Sequence, residues 1–107
     1  MKRGDLVSVS LPGTYGKPRP ALVIQSDLFA DHSSVTVLPI TSDLLDAPLL
    51  RISVPPLPAN GLQKPSQVMI DQVHTLPRDT VSKPFGVLDQ DLMREIDRSL
   101  VLFLGMA

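Results

Sequence analysis

The sequence predicts an α+β fold: a β-barrel-like set of six to seven short strands followed by one C-terminal amphipathic helix. Three observations point there. Short apolar segments, several alternating with a period of two, recur as far as Leu88. Eleven prolines and six glycines interrupt them, which suits many loops and blunted sheet edges. Beyond Leu88 the apolar spacing changes to threes and fours, the period of a helix.

Lys2-Arg3-Gly4-Asp5 opens the chain, with Gly4 supplying a turn and Asp5 a cap before the first strand. Leu6-Val7-Ser8-Val9-Ser10 alternates and is that strand. Residues 11–20 carry two glycines and three prolines and read as a loop. Ala21-Leu22-Val23-Ile24-Gln25 is a continuous apolar run for a central strand, and Pro20 is tolerated at its start, where no ladder donor is needed. Ser34-Val35-Thr36-Val37-Leu38 is β-branched and extended, and residues 39–48 are expected to be a loop. Leu49-Leu50-Arg51-Ile52-Ser53-Val54 alternates again. Two breaker-rich stretches, 55–60 and 61–65, lead to extended pieces at 67–70 and 72–76 that meet at Asp71, and to a last one at 83–88. Asp89 then serves as N-cap, and Met93, Ile96, Leu100 and Phe103 form one apolar stripe of a helix that Gly105 stops. The whole of residues 1–107 reads as a single domain without repeats or linkers.

Composition narrows the function. A formal charge of −1 creates no global field that attracts nucleic acid, so any such contact needs a local cluster of Lys and Arg. With 4% aromatic residues and no Trp, a long base-stacking platform is excluded, whereas an enzyme gripping a few nucleotides is not. No cysteine is present, which removes disulfides, thiolate nucleophiles and cysteine-based zinc sites. His32 and His74 form no ligand pattern, so neither a metal nor another cofactor is expected. No leader or membrane span is legible, and the cytoplasm is the expected compartment.

The remaining chemistry-bearing groups stand near strand ends. Arg19, framed by Pro18 and Pro20, either caps a sheet edge or pairs a carboxylate, or it offers a rigidly held guanidinium to a phosphate. Thr41 and Ser42 are turn hydroxyls or phosphate contacts. Asp71 is a turn residue or a carboxylate at a strand end, and His74 a half-buried structural residue or a base. An Arg, a Thr or Ser and an Asp are compatible with RNA cleavage through the 2′-hydroxyl, a reaction that needs orientation, charge stabilisation and proton transfer.

The order of the motifs is more informative than any one of them. Gly16-Lys17-Pro18-Arg19-Pro20-Ala21-Leu22-Val23-Ile24, then Pro39-Ile40-Thr41-Ser42, Gly61-Leu62, Ser66-Gln67-Val68-Met69-Ile70-Asp71-Gln72-Val73 and Phe85-Gly86-Val87-Leu88 resemble, end to end, the MazF/PemK (Kid) family of type II toxin–antitoxin ribonucleases. The resemblance implies an SH3-like barrel, a homodimer and sequence-specific, metal-independent cleavage of single-stranded RNA. It also implies neutralisation by a cognate antitoxin whose disordered tail folds onto the dimer, with operator DNA bound only through the antitoxin complex. By position, Arg19 matches the family's active-site arginine, Thr41 the threonine that holds the scissile phosphate, and Asp71 the acidic residue of the Asp-Gln motif. Tyr15, Lys17, Ser42, Lys64 and Gln72 are the expected RNA contacts.

Two departures bear on mechanism. Met69 stands where the PemK branch has an arginine assigned as proton donor, and the loop before Arg19 lacks the acidic residue of many members. Asp71 and His74 are therefore both candidates to accept the 2′-hydroxyl proton. The alternatives are a non-enzymatic gyrase poison of the CcdB type, which shares the fold, and a homologue that binds antitoxin but has weak catalysis.

Overall fold

The computed structural model describes residues 1–13 and 15–106; Thr14, in the loop before Arg19, and Ala107 lie outside the described residues. The chain enters its first strand through Gly4, whose φ of +95° is unstrained only for glycine, while the Asp5 carboxylate accepts from the Lys2 amide at 2.7 Å. Seven strands follow: β1 (Asp5–Val9), β2 (Arg19–Val23), β3 (Ser34–Thr41), β4 (Arg51–Val54), β5 (Ser66–Met69), β6 (His74–Pro77) and β7 (Gly86–Val87). The helix α1 (Gln90–Phe103) ends the fold. All pairings are antiparallel, in the order β4-β5-β3-β2-β1-β7, with β6 also on β3.

The eight-residue β3 explains how one sheet becomes a curled half-barrel. Along one edge it pairs with β6 from Ser34 to Val37 and then with β5 from Ile40 to Thr41. Pro39, expected to begin a loop, lies inside the strand. It falls in the gap between the two partners, where a missing N–H breaks no ladder bond. Elsewhere the elements are shorter than the apolar runs. Leu49 and Leu50 form a turn closed by the Ala47 carbonyl, and the piece at 83–88 contracts to two paired residues.

Alternation sends side chains to two cores. Leu6, Leu22, Leu38, Ile40, Val68 and Ile70 pack on one face with Met93 and Ile96 of α1. Val7, Val9, Ala21, Val23, Val35 and Val37 pack on the other with Leu76 and Val81. Each fully buried Leu or Ile contributes about 1.5–3 kcal/mol. Asp89 caps the helix by accepting from the Leu92 amide at 2.9 Å. The buried stripe ends earlier than expected: Leu100 still packs against the core, whereas Phe103 is 46% exposed. Among the described residues no helix is long and apolar enough to cross a membrane.

Candidate active site

A groove of about 630 Å³ opens where β2 begins and β3 ends. The β2–β3 register, Ala21 with Pro39 and Val23 with Val37, faces Arg19 with Thr41 when carried two residues further. Both side chains line the groove. Directly opposed residues of antiparallel strands stand within about 5.5 Å at Cβ, so the strands alone bring these two residues to one groove.

The Arg19 guanidinium makes no hydrogen bond or ion pair with any described residue. That sets it apart from arginines used as structure. Arg3 holds the Ile24 carbonyl and Asp97, Arg51 the Asp43 carbonyl and Gln67, and Arg78 the carbonyls of Ala30 and His32. Of the two readings of Arg19, the carboxylate-paired one has no counterpart among these contacts. Thr41 Oγ1 accepts from the Asp43 amide at 3.0 Å, which leaves its O–H to donate to another acceptor.

Ser42 and Lys64, two of the expected RNA contacts, also line the groove, and so does Met69. Asp71 and Gln72 do not: they are exposed on the turn between β5 and β6, just past Met69. Tyr15, with φ of +53°, and Lys17 are exposed in the loop before Arg19, outside the lining. His74 is half-buried on β6, in register with Val37, and lies outside it too.

Sequence reasoning missed Asp43, Gln63 and Phe85. Asp43 is the one carboxylate among the described lining residues, and Phe85 offers a half-exposed ring. A short signal existed for Asp43, which directly follows Thr41-Ser42. Phe85 stands in the Phe85-Gly86-Val87-Leu88 motif, but its place beside Arg19 and Thr41 arises only through tertiary packing. The segment carrying Gln63 and Lys64 is seated by Asn60, whose buried amide accepts from Leu57 and Leu62 and donates to the Pro55 carbonyl at 2.9 Å. Gly86 lets that loop pass, since a Cβ there would lie 2.1 Å from the Asn60 carbonyl oxygen. Among the described residues no three His, Asp or Glu side chains form a group able to hold a metal ion.

The profile of the family described as PemK-like, MazF-like toxin of type II toxin–antitoxin system matches residues 2–104. The chain belongs to this family. It is 48% identical to the probable endoribonuclease MazF of Mycolicibacterium smegmatis, over 100% of this chain and 99% of that one. It is 25% identical to the endoribonuclease EndoA of Bacillus subtilis, over 99% and 96%. Among solved structures, a mycobacterial endoribonuclease in complex with its cognate antitoxin superposes with a TM-score of 0.83 at 20% identity, over 100% and 97%. MazF of Deinococcus radiodurans gives 0.80 at 22% identity, over 99% and 97%. These likenesses bear out the half-barrel with a C-terminal helix, and the MazF/PemK membership favours a nuclease over a gyrase poison.

Proposed function

We propose that the groove is the active site of a metal-independent endoribonuclease that cuts single-stranded RNA at short sequences. The observation that carries this reading is the Arg19 guanidinium, unpaired among the described residues, lining one open groove together with Thr41. The relatives named endoribonucleases, matched over nearly their whole length, support it.

In this scheme the RNA 2′-oxygen attacks the adjacent phosphorus, the bond from phosphorus to the 5′-oxygen breaks, and a 2′,3′-cyclic phosphate and a 5′-hydroxyl result. Arg19 clamps two phosphate oxygens and stabilises the charge that grows on them. Thr41 donates its O–H to the same phosphate and fixes its orientation. The leaving 5′-oxygen takes a proton, with Arg19 the nearest donor in the scheme. The 2′-hydroxyl proton goes to a carboxylate rather than to His74, which lies outside the groove lining. Asp71 is the carboxylate that the family's Asp-Gln motif suggests; the lining of the groove favours Asp43, and the two are separable by substitution. Ser42, Lys64 and the ring of Phe85 contact the flanking nucleotides, with Lys17, Tyr15 and Gln72 reaching a longer strand from outside the groove.

The working form is a homodimer in the cytoplasm, held silent by a cognate antitoxin through which alone operator DNA is bound. The complex of a structural neighbour with its antitoxin supports this partner.

The deciding experiment incubates the purified chain with a long RNA in excess EDTA and maps the ends. Discrete cuts with 2′,3′-cyclic phosphate ends are expected, and Arg19→Ala should lower the rate about 10²- to 10³-fold, the usual cost of removing one donor from a developing oxyanion. RNA left intact by a folded chain, or cut equally well by Arg19→Ala, would refute the scheme.

A further inference from the structure

The segment that follows Thr41 and forms one side of the groove is poorly supported by packing. Leu44 and Leu45 are 52% and 56% exposed. A second cavity, of about 370 Å³, lies against the same segment and includes Leu45, Arg51, Gln67 and Glu95 in its lining. An exposed, apolar segment beside an open cleft needs some other restraint to hold a fixed position.

At Leu45 that restraint is one buried amide. The Gln67 side chain accepts from the Leu45 N–H at 3.0 Å and donates to the Leu45 carbonyl at 2.9 Å, taking the place of a neighbouring strand. Arg51 donates to the same Gln67 oxygen at 3.0 Å and to the Asp43 carbonyl at 3.2 Å. The Gln67 backbone is itself locked between Thr41 of β3 and Ser53 of β4. One residue thus ties both ends of the stretch from Thr41 to Leu45, by its backbone at the first and by its side chain at the second. Gln67 is buried in a strand whose neighbours Val68 and Ile70 are core residues. An amide there would cost about 1–3 kcal/mol if left unsatisfied, so its full set of partners is what makes it tolerable.

Resting on the ribonuclease reading above, we infer that Gln67 and Arg51 are positioning residues of the catalytic groove: they hold Ser42 and Asp43 in place beside Thr41 without touching RNA. Loss of the clamp lets this side of the groove move while Arg19 and the sheet stay put. The consequence is a lower rate on bound RNA rather than weaker binding, because a displacement of about 1 Å is enough to cost up to about 10²-fold in rate.

The test uses the full chain as wild type, Gln67→Leu, Gln67→Glu and Arg51→Met. Three quantities are read: single-turnover cleavage at saturating RNA, affinity for the same strand made non-cleavable by 2′-deoxy substitution, and hydrogen exchange at the Leu45 amide. Gln67→Leu should lose Leu45 protection, keep that of β2 and β5, cut at least about tenfold more slowly and bind the deoxy strand within about threefold of wild type. Gln67→Glu retains the acceptor for Leu45 and Arg51 and should recover most of the rate. Arg51→Met should share the slow phenotype, and it serves alone if Gln67→Leu does not fold. A Gln67→Leu chain that cleaves at the wild-type rate overturns the positioning role, as does a rate loss accompanied by an intact Leu45 amide. A wild-type chain that cleaves nothing refutes the ribonuclease reading itself, which separates the two failures.

Discussion

Arg19 and Thr41 illustrate how little of a site is visible one residue at a time. Each has an ordinary structural use, and the sequence leaves both uses open. What distinguishes them is that the register of β2 on β3 brings them face to face, and that no described carboxylate neutralises the arginine. The register was not legible, because the ten residues 24–33 between the strands are too many to dictate a hairpin turn type. Asp43 follows Thr41-Ser42 directly and lines the groove, whereas Asp71 matches the family motif and stands outside the lining. Asparagine at each position separates them while keeping size and hydrogen-bonding reach. Asp43→Asn should slow cleavage about 10²-fold or more, in the range for losing a general base, and Asp71→Asn by less than about threefold. The reverse order, read from single-turnover rates, would return the proton to Asp71 and make Asp43 a bystander.

At the scale of elements, most of the β-strands and the helix were legible because alternation and the change to helical spacing are local properties. Asp89 was legible as a cap for the same reason. Four features were not. Pro39 reads as a breaker, yet it sits harmlessly where β3 exchanges partners, a tertiary circumstance. Leu49 and Leu50 extend an alternating pattern but are turned away by the Ala47 carbonyl. Phe103 completes an apolar stripe in the sequence but stays exposed, since the core packs against the helix only as far as Leu100. Gly86 belongs to the same class: a motif glycine whose reason appears only when the Asn60 loop crosses it. Because backbone rather than a flexible side chain blocks the space, Gly86→Ala should destabilise the fold by about 3 kcal/mol, the upper part of the usual overpacking range. Urea unfolding checks this, and a loss below about 1 kcal/mol would mean that the loop yields easily.

The whole molecule leaves an apolar end uncovered. Leu102, Phe103, Leu104 and Met106 are all exposed at and beyond the last turn of α1, a run that isolated soluble domains rarely present to water. A symmetric dimer burying these residues is the arrangement we propose, and Phe103→Glu should shift the sedimenting species toward monomer at micromolar concentration with the helix content kept. Unchanged sedimentation would place the dimer contact elsewhere. The groove's own chemistry reaches further still. Arg19 and Lys64 are the cations among its described lining residues, in a chain whose formal charge is −1. Two phosphate contacts on a single strand displace few condensed counterions, so the logarithm of the binding constant should fall with the logarithm of salt with a slope of about −1.4. Such a chain would hold RNA through fit rather than through charge, and would lose little of its grip in an ion-rich solution that strips more basic proteins from the same strand.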